Sequence, residues 1–418
     1  MRIEEIYKLY KQNFLIDTDT RSIRKNSIFF ALKGDNFNGN TFAKKAIEMG
    51  ALYSIVDEKK YVTNSKTILV DNVLETLQSL SNYHRKQLNI PIIGLTGSNG
   101  KTTTKELINT ILSKKHKTTA TIGNLNNHIG VPITLLSMNS DTEIGVVEMG
   151  ANHQKEIEFL SNLCEPDFGY ITNFGKAHLE GFKGIEGVIK GKSELYTFLE
   201  KHNKLAFVNQ NDTLQVKNTS EIKRVIFDQS LTLIELDPFI TIEYKKVKIK
   251  TNLIGEYNFE NICAAITIGA FFNIEVNDIK SALESYVPNN NRSQIIEKKS
   301  NKIILDAYNA NPTSMRAALE SFHAMKAGNK IVILGDMFEL GDSKIEEHQK
   351  IIDLTLEAKF KTVYIVGNIF NQVKTKSKKF KDFKDLQLYL KLKKINNSTI
   401  LIKGSRGMGL ERIIDLIN

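Results

Sequence analysis

Apolar positions along this chain fall into short runs set between longer amphipathic stretches. In the first part the runs are Ser27-Ile-Phe-Phe-Ala-Leu and Tyr53-Ser-Ile-Val, with a helix predicted over residues 41–49 and Gly50 placed to cap it. Further on, Ile90-Pro-Ile-Ile-Gly-Leu-Thr96 runs straight into a glycine-rich turn, after which a helix is predicted from Thr102. Ile144-Gly-Val-Val-Glu-Met and Phe168-Gly-Tyr-Ile-Thr-Asn have the continuity of strands covered on both faces. Residues 205–254 alternate apolar and polar, as in Phe239-Ile-Thr-Ile-Glu-Tyr and Val247-Lys-Ile-Lys-Thr, and read as a β-rich extension. A helix is predicted next, over residues 258–272. Beyond Pro288-Asn-Asn-Asn-Arg292 the runs Lys302-Ile-Ile-Leu-Asp, Lys330-Ile-Val-Ile-Leu-Gly, Thr362-Val-Tyr-Ile-Val-Gly and Thr399-Ile-Leu-Ile-Lys-Gly alternate with helical stretches such as 313–325 and 346–358. That alternation predicts a doubly wound parallel sheet.

Three α/β sections result. The first is a small module over residues 1–88. The second, 89–288, has a P-loop ATPase-like parallel sheet with the β-rich extension, and the third, 289–418, is Rossmann-like. A length of 418 residues suits two or three domains. No apolar run nears the ~20 residues a membrane span needs, and Met1-Arg-Ile-Glu-Glu-Ile-Tyr lacks a signal peptide's apolar stretch. A cytoplasmic protein without membrane insertion is expected. Cys164 and Cys263 stand far apart with no metal-binding spacing, and are read as reduced core thiols. The net charge of +10 raises the question of nucleic acid. The basic residues are mostly scattered lysines beside acids rather than clustered arginines with aromatics, so no nucleic-acid partner is expected. The excess charge would still draw a polyanionic small substrate.

The sharpest chemical signal is Thr96-Gly-Ser-Asn-Gly-Lys-Thr-Thr-Thr104. A glycine-rich turn between strand and helix lets backbone N–H groups converge on phosphate oxygens, with the field of the helix N-terminus added. Thr96, Gly97, Ser98, Asn99, Gly100 and Thr103 would frame the phosphates. Lys101 would neutralise them, and the Thr102 hydroxyl would sit on Mg²⁺. The spacing departs from the strict GxxxxGK[ST] form, because position 95 is leucine. Glu148 ends one apolar run, His178 follows another in Thr172-Asn-Phe-Gly-Lys-Ala-His, and Lys192 lies in Gly191-Lys-Ser-Glu. Singly these read as a solvated acid, a capping histidine and a surface lysine. Together, downstream of a phosphate loop, they read as the wall of a site for two divalent ions.

The order of these segments resembles the Mur ligase family, over essentially the whole chain. The resemblance implies catalytic roles for Lys101, Glu148, His178 and Lys192. It places one Mg²⁺ on Thr102 and Glu148 and a second on His178 and a carbamylated Lys192. Gly255-Glu-Tyr-Asn-Phe-Glu-Asn resembles the family's Gly-x-His-Asn-x-x-Asn helix start, which gives Asn258 and Asn261 to ATP, with Tyr257 where histidine is usual. Arg292 and Asp306 match an arginine near the phosphates and an acid on the ribose. Asp19, Thr20 and Arg21 resemble a UDP-binding Asp-Ser-Arg segment, and Lys403-Gly-Ser405-Arg406 resembles a motif on the amine-substrate side. Gly123-Asn-Leu-Asn126-Asn127-His-Ile-Gly resembles a substrate loop.

Two segments resemble the family's D-alanyl-D-alanine-adding branch: Asp306-Ala-Tyr-Asn309-Ala-Asn311-Pro and Gly335-Asp-Met-Phe-Glu-Leu-Gly341. The implied reaction is ATP-dependent joining of D-alanyl-D-alanine to UDP-N-acetylmuramoyl-tripeptide by a monomeric enzyme. Rival readings are a sister ligase adding the third residue, a folylpolyglutamate synthase, a nucleic-acid-binding P-loop ATPase, and an idle relative that only binds a partner. Intact Lys101, Glu148, His178 and Lys192 argue against the last.

Overall fold

The computed structural model describes residues 1–417. Near the N-terminus, four short parallel strands lie in the order Ile16–Asp17, Ile28–Phe30, Tyr53–Val56, Thr67–Leu69. Helices Ile3–Tyr10 and Val73–Leu88 cover them through Ile6, Tyr10, Leu77 and Leu80. The helix expected over 41–49 is shorter. Gly39–Phe42 winds as a 3₁₀ turn, because the Asn38 side chain accepts from Asn40 N, and the α-helix proper is Ala43–Glu48. Gly50 follows with φ +115°, the left-handed conformation expected just past a helix end.

A second sheet has six parallel strands in the order Lys223–Ile226, Leu205–Val208, Phe168–Ile171, Ile92–Thr96, Ile144–Glu148, Thr118–Ala120. Helices Lys101–Leu112 and Tyr257–Phe271 pack on one face through Leu107, Ile108, Ile262 and Ile266. Glu156–Cys164 and Ile185–Lys201 pack on the other through Ile157, Leu160, Leu195 and Leu199. Cover on both faces is why the central strands read as unbroken apolar runs.

The β-rich extension divides in two, which corrects its reading as one unit. Leu205–Val208 and Lys223–Ile226 join the parallel sheet, with the helix Thr213–Asn218 between them. Only Thr232–Glu235, Thr241–Tyr244 and Val247–Lys250 form a separate antiparallel sheet. A two-residue alternation marks a strand but carries no information about which sheet it joins.

The C-terminal sheet runs Gln294–Lys298, Asn301–Asp306, Thr399–Lys403, Lys330–Gly335, Thr362–Val366, Lys378–Phe380. Its first strand is antiparallel and the remainder parallel. Helices Pro312–Ala324 and Lys344–Glu357 cover one face. Phe383–Leu392 and the 3₁₀ segment Leu410–Leu416 cover the other. Ligands of open parallel sheets bind beyond the carboxyl ends of the strands. Those ends bring Thr96, Glu148, Ile171, Asp306 and Lys403 to the loops described next. No described helix is long and apolar enough to cross a membrane.

Candidate functional site

A cavity of about 550 Å³ lies where loops of the central and C-terminal sheets meet. Its floor is the turn after Ile92–Thr96. Gly97 has φ +140°, and a Cβ there would fall 2.0 Å from Thr172 Oγ1. Gly100 has φ +81°, and a Cβ would fall 2.5 Å from Asn261 Oδ1. Both positions therefore demand glycine. The turn is pinned from the neighbouring strand: Ser98 N donates to Asn173 O at 3.0 Å, and Thr172 Oγ1 donates to Asn99 O at 2.5 Å. The first turn of Lys101–Leu112 then opens onto the cavity, where its N–H groups lack carbonyls four residues back.

Lys101 Nζ donates back to Gly97 O at 2.6 Å. Burial pulls this ammonium down to about 8; Glu148 opposes that shift and Arg292 adds to it. Glu148 is 1% exposed, and its Oε1 accepts from Asn126 Nδ2 at 2.7 Å and Thr102 Oγ1 at 3.3 Å. Its Oε2 is buried without a hydrogen-bond partner. An orphaned carboxylate oxygen beside a hydroxyl and the phosphate turn fits a hard cation. Among the described residues no three His, Cys, Asp or Glu side chains form a ready metal cage. An ion here would depend on Thr102 and nucleotide oxygens as well.

Lys192 is buried beneath the cavity wall rather than lining it, and donates to Ala151 O at 3.0 Å. Burial first, and then Lys101, hold its amine well below the usual lysine range. His178 lines the cavity with φ 52°, its Nδ1 engaged by Glu339 of the C-terminal section. From that section also come Asp306 and Lys403. They are register partners on adjacent parallel strands and pair at 2.5 Å. Asn311 caps Pro312–Ala324 by accepting from Ser314 N, and its Nδ2 reaches Asn99 Oδ1 at 2.7 Å across to the phosphate turn. Asn309 lines the same wall.

Family models match this chain over residues 95–269, the Mur ligase middle domain, and 291–406, the Mur ligase glutamate ligase domain. The chain belongs to the Mur ligase family. It is 34% identical, over 98% of its length and 94% of the relative's, to UDP-N-acetylmuramoyl-tripeptide–D-alanyl-D-alanine ligase of Bacillus subtilis. The Escherichia coli protein of that name is 32% identical over 96% of this chain and 92% of its own. The fold of this chain matches a crystal structure of MurF from Acinetobacter baumannii with TM-score 0.85 and 32% identity, covering 96% of this chain and 92% of that one. MurF ligase from Thermotoga maritima in complex with ADP matches with TM-score 0.83 and 25% identity over 96% of each chain.

In this Mur ligase the cavity gathers Ser98, Asn99, Gly100, Lys101, Thr102, Thr103, Asn126, Asn127, Glu148, His178, Asn258, Asn261, Arg292, Asp306, Asn309, Asn311 and Lys403. Thr96 ends the strand before the turn and Gly97 opens the turn, and neither lines the cavity. Ser405 is buried and does not line the cavity; its Oγ accepts from Phe338 N at 3.0 Å. Arg406 stands in an adjoining recess with Arg292 and Tyr308. Asp19, Thr20 and Arg21 do not line the cavity. Asp19 caps the 3₁₀ turn Thr20–Ser22 and pairs with Arg21 at 2.6 Å, which lowers its carboxyl to about 2.

Sequence reasoning passed over two residues that this Mur ligase places here. Tyr308 carries the Arg292 guanidinium 3.9 Å from its ring centre and accepts from Arg406 Nη1 at 3.2 Å. Glu339 holds His178. Both stood inside motifs already singled out, so attention to every polar side chain of those motifs would have found them. Tyr257, the departure from histidine, lines the cavity and shares a 2.6 Å hydrogen bond with Ser293.

Proposed function

We propose that this Mur ligase joins D-alanyl-D-alanine to UDP-N-acetylmuramoyl-tripeptide at the expense of ATP. The observation that carries the reading is the position of the Tyr308-Asn309-Ala310-Asn311-Pro312 segment. It faces the phosphate turn, and Asn311 touches Asn99 at 2.7 Å. That segment resembles the D-alanyl-D-alanine-adding branch, and the curated relatives at 30–34% identity carry that activity in their names.

In the first step the terminal carboxylate of the tripeptide attacks the γ-phosphorus. An O–P bond forms, the bond to the β-phosphate oxygen breaks, and ADP leaves. The dipeptide amine then attacks the acyl carbon. A C–N bond forms, phosphate departs with the C–O pair, and the nitrogen sheds its extra proton. Lys101 and the first-turn N–H groups hold the phosphates, Asn258 and Asn261 approach the base, and Asp306 faces the ribose. Thr102 and Glu148 would hold one Mg²⁺, and His178 with Lys192 a second. Bound there, the ions would neutralise charge building on the transferred phosphoryl group. Lys192 would serve as a carbamate: the unprotonated form of its buried amine adds to CO₂, an N–C bond forms as one C=O π pair moves onto oxygen, and the nitrogen loses a proton, giving an anionic oxygen ligand.

Three domains share the work, divided at 88/89 and 288/289. The first holds the UDP end through Asp19, Thr20 and Arg21, and Asn126 and Asn127 of the second border the acyl chain. The second holds ATP. The third brings the dipeptide through Asn309, Asn311, Lys403, Ser405 and Arg406. The enzyme acts in the cytoplasm, as a monomer.

Phosphate release with each substrate omitted in turn tests this. Release requiring ATP, UDP-muramoyl-tripeptide and D-alanyl-D-alanine together, with a pentapeptide product by mass spectrometry, is expected, and Lys101→Ala should abolish it. Turnover only with UDP-muramoyl-dipeptide and a diamino acid would move the chain to a sister ligase. Lys192→Ala activity restored by added short carboxylates would support the carbamate; no restoration would count against it.

A further inference from the structure

The helix that starts at the phosphate turn carries two charged side chains for which the proposed reaction has no use. Lys105 and Glu106 lie about one turn beyond Lys101. Lys105 is 2% exposed. Its ammonium donates to Thr121 O at 2.7 Å and reaches Gly123 O at 3.4 Å. Those carbonyls open the loop that carries Asn126, whose amide donates to Glu148. Glu106 serves the opposite wall. Its Oε2 accepts from Tyr286 Oη at 2.6 Å and its Oε1 from Asn290 Nδ2 at 2.6 Å. Burial first, and then Glu106, keep the Tyr286 phenol protonated and donating. Tyr286 and Asn290 bracket Pro288 and lead directly to Arg292, which lines the cavity.

A simpler role for Glu106 would be to neutralise Lys105. The distances oppose it. The Lys105–Glu106 approach is 3.7 Å, whereas both short contacts of Glu106 go to the linker. Short donor–carboxylate bonds are the strong ones, so the carboxylate is committed to Tyr286 and Asn290. Lys105, for its part, spends its best contact on a backbone carbonyl.

We propose that Lys105 and Glu106 are the positioning pair of this site. Lys105 sets the loop that bears Asn126, and Glu106 sets the linker that bears Arg292. Neither touches a reacting atom. The phosphate-turn helix thereby holds both walls of the cavity to the nucleotide it binds, and the inference rests on the ligase reading above for what those walls hold.

The test is calorimetric titration of a non-hydrolysable ATP analogue into Glu106→Ala, Arg292→Ala and the double variant. Glu106→Ala should weaken binding roughly tenfold, and the double variant should be no weaker than Arg292→Ala alone, because contacts acting through one another do not add. Additive losses, or wild-type affinity in Glu106→Ala, would overturn the role of Glu106. Asn290 is half-buried in the linker, outside any helix or strand, so Asn290→Ala asks the same question if Glu106→Ala does not fold. A smaller loss that vanishes in the Arg292→Ala background is expected, and wild-type affinity overturns the proposal. Lys105→Met should weaken UDP-muramoyl-tripeptide, non-additively with Asn126→Ala; unchanged affinity for it overturns the Lys105 half. The nucleotide titrations need no turnover. A wild-type protein inactive with muramoyl-tripeptide and dipeptide would therefore sink the substrate assignment while the Glu106 cycle still gave its answer.

Discussion

At the scale of single residues, the site depends on positions where one atom decides. A methyl group on Gly97 would overlap Thr172 Oγ1 at 2.0 Å, in a backbone conformation that L side chains rarely adopt. Gly97→Ala should therefore abolish binding of ADP, as read by titration, while far-UV circular dichroism shows the fold retained. Retained affinity would mean that the turn can move aside. Lys403 and Asp306 form the second such point. Lys403 is 1% exposed, and its 2.5 Å contact with Asp306 joins two neighbouring strands at their carboxyl ends. Lys403→Met fills the space but leaves Asp306 without its partner, and should cost about 3 kcal/mol in urea unfolding. A loss below about 1 kcal/mol would show that the cavity's water replaces the ammonium.

At the scale of elements, the segment between Phe168–Ile171 and Leu179–Phe182 works as a strap. It leaves the central sheet, pins the phosphate turn through Thr172 and Asn173, and then crosses to the C-terminal section. There Lys176 N donates to Thr313 Oγ1 at 2.9 Å, Lys176 Nζ pairs with Glu347 at 2.9 Å, and His178 meets Glu339. The Lys176 ion pair is partly exposed, so it contributes modestly on its own, and the strap's hold is the sum of several contacts. Thr313→Val combined with Glu347→Gln should raise hydrogen exchange across residues 173–180 without lowering the melting midpoint by more than a degree or two. Unchanged exchange would show that the strap is held from the central sheet alone.

At the scale of the whole molecule, two buried histidines link stability to pH. His84 is fully buried; its ring meets Met138 O at 2.9 Å and Tyr7 Oη at 3.3 Å, tying the helix Val73–Leu88 to the central section. His348 accepts from Met337 N at 2.9 Å and faces Lys344 O at 2.6 Å. Burial lowers the pKa of each below its unfolded value, against opposing hydrogen bonds to Met138 and Lys344. The unfolded chain therefore takes up protons near pH 6.5 that the folded one refuses. The stability these imidazoles contribute is complete above about pH 6.5 and is lost as pH falls through the depressed folded values. Urea midpoints should fall between pH 7 and pH 5 in the wild type, and less steeply in His84→Gln. Equal slopes would assign the fall to carboxylates.

Much of this was legible in residues. Continuous apolar runs marked the central strands of both large sheets, since strands covered on two faces have no polar side to interrupt them. The glycine turn between strand and helix was legible because its strand, glycines, lysine and hydroxyl follow one another in sequence, and Lys101, Thr102 and Glu148 share one cavity. Edge strands were less so: Thr118–Ala120 is too short and polar to stand out, and Lys223–Ile226 is mostly exposed and opens on two basic residues, so neither shows an apolar run. What only the tertiary structure decided was which distant side chains meet. Asn311 reaches Asn99, Glu339 reaches His178, Lys403 reaches Asp306 and Glu106 reaches Asn290, each across about a hundred residues or more. Local periodicity records which way a side chain faces, whereas those meetings follow from strand register and from the packing of one section on another, which no window along the chain contains.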